Sequence, residues 1–167
     1  MNLPLPAHRL GICTALLLGA CGPKGIDYTG YDLEAEIRDH EFWPQQASWA
    51  GIRASCDGDH GAYVQIWLNY NADDALLAGE DPLPPGSIIV EEIYDIDGTT
   101  LLSMVAQRKL DGYDPSHGDW FWGEFQADYE EIQSGNLAAC SDCHATARTD
   151  YLPYLDAPIA MTPEDCP

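Results

Sequence analysis

Between residues 60 and 126 the chain is written in short apolar or alternating runs separated by turn residues. Tyr63-Val-Gln-Ile-Trp-Leu-Asn-Tyr70 alternates or runs apolar, and Ser87-Ile-Ile-Val-Glu-Glu-Ile-Tyr94 is β-branched and apolar, so each predicts a strand. Asp97-Gly98 turns the chain into a third strand, Thr99 to Gln107, and Trp120-Phe-Trp-Gly-Glu-Phe125 makes a fourth after the turn-rich residues 111–119. Helical spacing is confined to the flanks of this block. Leu33, Ile37 and Phe42 or Trp43 predict one amphipathic helix from Tyr31 to Trp43, stopped by Pro44. A shorter helix is expected at Ala72 to Leu77, ended by Gly79 and Asp81-Pro-Leu-Pro-Pro85. The expected fold class is α+β, mainly antiparallel β, with helices near each end.

The N-terminus follows a different pattern and stands apart from the fold. Residues 1–9 carry one firm positive charge, Arg9, and are followed by the apolar stretch Leu10 to Ala20, too short to span a bilayer. Its end, Leu18-Gly19-Ala20-Cys21, resembles a bacterial lipobox, in which small residues fit the signal peptidase and the cysteine thiol receives a diacylglyceryl group. The alternative is an ordinary secretory signal followed by a chance cysteine. The expected organisation is a signal peptide over 1–20, a Gly/Pro tether over 21–30 with Cys21 lipidated, and a single domain over 31–167. That places the protein in the periplasm, held to the membrane by its lipid alone. Gly22, where some bacteria place an inner-membrane-retaining Asp, points to the outer membrane.

Charge narrows the partners. Twenty-eight acidic residues face seven basic ones, for a formal net charge of −21, and loss of residues 1–20 removes Arg9 and no acid. Such a chain lacks the Lys/Arg clusters that a nucleic-acid backbone or an anionic membrane surface requires. Five Trp, nine Tyr and three Phe argue against an unstructured acidic segment. The acidic surface either serves solvation or steers the protein toward a basic redox partner.

Six cysteines carry the chemistry. Cys13 leaves with the signal and Cys21 takes the lipid, so Cys56, Cys140, Cys143 and Cys166 remain in an oxidising compartment. Cys140-Ser-Asp-Cys143-His144 is the C-x-x-C-H sequence of covalent haem attachment: thiols three residues apart reach the two vinyl groups of one porphyrin, and the adjacent imidazole meets the iron. One covalent haem c is therefore expected, anchored by Cys140 and Cys143 with His144 as axial ligand. Dithiol redox chemistry or zinc are the alternatives, within a haem-free lipoprotein. Cys56 and Cys166 are left to form a disulfide across more than a hundred residues, contributing about 4 to 5 kcal/mol in the chain-entropy model.

Three blocks, in order, carry a family resemblance: Pro85-Gly-Ser-Ile-Ile-Val-Glu-Glu92, Gly112-Tyr-Asp-Pro-Ser-His-Gly-Asp-Trp120 and Ala139-Cys-Ser-Asp-Cys-His-Ala-Thr-Ala-Arg-Thr-Asp-Tyr151. Over residues 60–154 the chain resembles the cytochrome P-460 family. The resemblance implies a β-rich monohaem c-type cytochrome, periplasmic and usually dimeric, with its haem held near the C-terminus by a haem-binding helix. In hydroxylamine-oxidising members a lysine cross-links to the porphyrin, and the matching position here is Glu91, which cannot form that link. The distal acid of those enzymes falls near Met104, which cannot shuttle protons. Both departures lean toward branches similar to cytochrome c-prime-beta, which bind a small gas or carry electrons. A haem oxidoreductase acting on hydroxylamine, nitric oxide or peroxide is the alternative.

The sixth iron position separates these functions, because an open site admits ligands whereas a Met or His closes it for electron transfer. Met104, Met161, His60, His117 and His40 are the candidates, or none. The expectation is five-coordinate iron with Met104 lining the distal side, although a Met in a strand also serves plain core packing. Glu91 is a second candidate for the distal pocket, its neighbour Glu92 pointing to the opposite face; an exposed edge charge is the alternative. Trp120 and Trp122 are candidate pocket walls or plain core, and Arg148 a candidate propionate partner or a surface residue. Asp95-Ile-Asp-Gly98 matches only the start of a calcium loop and reads as a hairpin turn.

Overall fold

The computed structural model describes residues 28–56 and 60–155, with 162, 164 and 166. The signal over 1–20, the lipidation site Cys21, nearly all of the tether and Met161 lie outside the described residues. Six strands form one antiparallel meander in chain order: β1 (Arg53–Ala54), β2 (Tyr63–Leu68), β3 (Ile88–Tyr94), β4 (Leu101–Lys109), β5 (Trp120–Gln126) and β6 (Glu131–Gly135). Three α-helices join them: α1 (Leu33–Ile37), α2 (Tyr70–Ala78) and α3 (Ala138–His144). The fold is α+β and mainly antiparallel β, as the alternating runs predict.

Cores on both faces of the sheet explain its sequence texture. One core gathers Ile66, Leu68, Ile89, Trp120 and Trp122 under Trp49, Ala72, Ala75, Leu83 and Leu152. The other gathers Ile88, Val90, Met104, Ala106, Phe121 and Phe125 under Leu33 and Ile37 of α1. The central β3 is therefore buried along nearly its whole length and reads as a continuous apolar run, whereas β2 alternates.

The structure departs from expectation in several places. The predicted helix from Tyr31 to Trp43 is broken: α1 ends at Ile37, and a 3-10 turn over His40–Phe42 follows. Asp32 caps α1, and Leu33 and Ile37, one turn apart, satisfy its buried stripe; the chain then re-aims to bury His40, while Phe42 is left exposed. The strand predicted to reach Tyr70 stops at Leu68, because Asn69 accepts from the Ala72 N–H at 3.0 Å and caps α2. β1 and β6 were not expected. One is two residues long, and the other is an edge strand with mostly exposed side chains and no alternating signal.

Candidate functional site

α3 follows the edge strand β6 and presents Cys140, Cys143 and His144 on a single short helix. Cys140 is half-buried against the Trp122 side of the sheet, Cys143 is exposed, and neither is in a disulfide. His144 is only 8% exposed, and its ring meets Trp122 edge-on, with centroids 4.8 Å apart. Its Nδ1 donates to the Tyr151 carbonyl at 2.9 Å.

That carbonyl is held in place by a strained corner. Asp150 and Tyr151 both take positive φ, +26° and +66°, a region costly for a bulky residue and kept only where the surroundings impose it. The Asp150 carboxylate accepts from Lys109 Nζ at 2.7 and 2.8 Å and from the Leu83 N–H at 2.8 Å, while its carbonyl accepts from Trp120 Nε1 at 3.1 Å. A buried ion pair reaching from β4 thus fixes the backbone that orients His144.

The floor of the site is the sheet face bearing Trp122. Register places Glu91 beside Val105 and Val105 beside Glu124 in one row, and Ile89, Gln107 and Trp122 in the next. Glu91 shares the face of Ile66 and Ile89, and its Oε1 accepts from His60 Nδ1 at 2.8 Å. The His60 and His144 rings lie 6.1 Å apart between centroids. Gln107 Nε2 and Trp122 Nε1, cross-strand neighbours on this floor, are fully buried donors without a partner among the described residues. Buried donors in native proteins are nearly always satisfied, so these two are available to a polar acceptor at the floor.

The structure gathers some of the expected residues and disperses others. Met104 is the main correction. It is completely buried, but on the opposite face, among Leu33, Ile37 and Phe125, because strand alternation gives Val105 and Gln107 to the site. Met104 therefore does not line a pocket beside His144. Glu91 is no edge charge: β3 is central, and both Glu91 and Glu92 are 9% exposed, on opposite faces of the sheet. Glu92 joins His40, Trp67 and Tyr94 away from the site. Burial alone would raise its pKa, but hydrogen bonds from His40, Trp67 and Tyr94 outweigh that and hold it below 4.5.

Trp122 forms part of the wall, and Trp120 braces the Asp150 corner as well as packing in the core. Arg148 is exposed in the loop after α3. His117 pairs with Asp114 at 2.8 Å within its own turn. Cys56 and Cys166 are joined in a disulfide spanning 110 positions. Gln107, Lys109 with Asp150, and the Tyr151 carbonyl were not legible in the sequence: a polar residue in a strand gives no sign of which face it occupies.

Burial raises the pKa of the Cys140 thiol, aided by Glu124 and Cys143. A reactive dithiol needs the opposite shift, and the sheet carries no parallel strand of the thioredoxin kind. Among the described residues no group of three or more His, Cys, Asp and Glu side chains could hold a metal ion, and Cys56 and Cys166 are occupied with each other. At the hairpin between β3 and β4, Asp97 accepts from Thr100 Oγ1 and from the Thr99 and Thr100 N–H groups, which lowers its pKa to about 2 and makes it a turn brace. No helix among the described residues is long and apolar enough to cross a membrane. No protein-family model matches the chain, and no curated protein matches its sequence.

Proposed function

We propose that the chain is a monohaem c-type cytochrome of the cell envelope, of the cytochrome P-460 kind, which transfers electrons or binds a small gas at one covalently held haem. The observation that carries this reading is local: two unbridged cysteines three residues apart on α3, followed by a histidine whose Nδ1 is held by a backbone carbonyl. Metal-ligating histidines almost always donate their second nitrogen to such a carbonyl or to a carboxylate, which fixes the tautomer and ring orientation.

Bound haem supplies a redox-active iron whose potential and ligand access the protein sets. Cys140 and Cys143 would hold the porphyrin through their thiols, and the His144 imidazole would ligate the iron. The Lys109–Asp150 pair and the Tyr151 carbonyl keep that imidazole aimed. Trp122 and Leu137 exclude water from the buried side. Gln107 Nε2 and Trp122 Nε1 offer two donors to a propionate or a polar ligand, with Arg148 a second propionate partner at the rim. The net charge of −21 favours a basic redox partner, and Cys21 anchors the protein by lipid on the periplasmic side, at the outer membrane. The test is haem staining on a denaturing gel and absorption spectra of the full chain made with the haem-attachment machinery. Stain should persist in the wild type and be lost in Cys140→Ala with Cys143→Ala; a wild type that never carries covalent haem refutes the reading.

One observation favours a catalytic variant of the same reading. Glu91 lies on the site face and pairs with His60, an arrangement suited to moving a proton at a reacting nitrogen or oxygen ligand. Turnover of hydroxylamine, nitric oxide or peroxide that falls in Glu91→Gln with haem content unchanged would support it.

A further inference from the structure

His60 pairs with Glu91 on the floor of the site and brings its ring within 6.1 Å of the His144 ring, and we infer that His60 is the second axial ligand of the haem iron, held in place by Glu91. The inference rests on the haem reading above and goes beyond it by closing the iron. Two imidazoles ligating one metal from opposite sides, with metal–nitrogen bonds of about 2 Å, set their ring centres about 6 Å apart. The two rings here are 6.1 Å apart and tilted by 36°. Both carry the outer hydrogen bond that ligating histidines need: His144 Nδ1 to the Tyr151 carbonyl at 2.9 Å and His60 Nδ1 to Glu91 at 2.8 Å. Each ring therefore ligates through Nε2.

The surroundings of His60 are built for this placement. Gly61, at φ +72°, packs so close to β3 that a Cβ would stand 2.7 Å from Ile93 Cγ2 and 3.1 Å from the Tyr94 carbonyl. Only glycine there lets the backbone lie against the sheet so that the preceding ring reaches Glu91. On the other side, Cys56 is tied to Cys166, which fixes the chain shortly before His60. Glu91 occupies the strand position expected to cross-link haem in the hydroxylamine-oxidising pattern; here its carboxylate is a positioning group for an imidazole. Met104, the other strand candidate, is on the wrong face.

The experiment uses the full-length chain, extracted in detergent with its haem attached, and reads spin state rather than turnover. Electron paramagnetic resonance and near-infrared magnetic circular dichroism of the ferric wild type should give a low-spin iron with two nitrogen ligands, unmoved by carbon monoxide after reduction. His60→Ala should become high-spin and bind carbon monoxide, and added imidazole should restore the low-spin signal. Glu91→Leu should give a low-spin and high-spin mixture, whereas Glu91→Gln, which keeps an acceptor, should stay low-spin. Should His60→Ala fail to accumulate, the wild-type spectrum decides alone. Covalent haem with a high-spin or methionine-ligated wild-type iron overturns the inference and leaves the cytochrome reading standing. Absence of covalent haem overturns both.

Discussion

Lys109 and Asp150 form a buried ion pair whose loss should be felt both in stability and at His144. Their side chains are 7% and 4% exposed, the ammonium lies 2.7 and 2.8 Å from the two carboxylate oxygens, and it sits 4.7 Å from the centre of the Trp120 ring. Lys109→Met keeps the stem and removes the charge, leaving the Asp150 carboxylate buried with the Leu83 N–H as its remaining donor here. Removing one partner of such a pair costs about 3 to 5 kcal/mol, because the other charge stays desolvated without compensation. With a urea m-value of about 2 kcal/mol/M, the unfolding midpoint should fall by about 2 M at unchanged slope. Tryptophan fluorescence in a urea titration reads this. Asp150→Asn in the same background removes the stranded charge, keeps an acceptor for Leu83 and tolerates positive φ, so the double variant should recover about 1 to 3 kcal/mol. The exposed Arg38–Glu34 pair serves as control, and Arg38→Ala should cost less than about 1 kcal/mol. A Lys109→Met protein within about 1 kcal/mol of wild type, or a double variant no better than the single, refutes the assigned role of the pair.

Other consequences can be measured on the same protein. Replacing Cys56 and Cys166 together by serine releases a 110-residue separation, which should cost about 4 to 5 kcal/mol and lower Tm by roughly 10 to 20 °C; a drop of a degree or two would mean that other contacts already close that loop. The Glu92 carboxyl is held below 4.5 in the fold, so its protonation is easier in the unfolded chain and its contribution is present above about pH 4.5 and lost on further acidification. The stability gap between wild type and Glu92→Gln should thus be widest near neutrality and narrow in acid, and a gap flat across the acid limb contradicts that. Gly123→Ala would place a Cβ 2.8 Å from the Phe125 ring and 3.2 Å from Leu33, so chemical denaturation should show a loss of about 1 to 3 kcal/mol. Wild-type stability in that variant would show that α1 moves aside freely.

Local information was readable wherever the physics is local. Alternation and β-branching marked the four central strands, Asp97-Gly98 marked the hairpin, and Gly79 marked the end of α2. Spacing of three along one helical turn brings Cys140 and Cys143 together and leaves His144 adjacent, whatever the rest of the chain does. β6 escaped notice because an exposed edge strand needs no apolar period. The supposed long N-terminal helix failed because burial of His40 against Glu92 outweighed helical continuity.

Facing, by contrast, belonged to the tertiary structure. A strand buried on both sides carries no alternating signal, so residues in β3 and β4 could not be assigned to a core until the register was known. Register sent Met104 to the α1 side and set Glu91, Gln107 and Trp122 on the opposite face, the one against which Cys140 of α3 packs. Lys109 finding Asp150 and His60 finding Glu91 are contacts across 41 and 31 positions. The sequence determined that Cys140, Cys143 and His144 share one helix turn, because neighbours at that spacing meet by geometry alone. Which side chains stand near them, His60 with Glu91 among others, was decided only when the sheet closed, because residues distant in sequence meet there through packing.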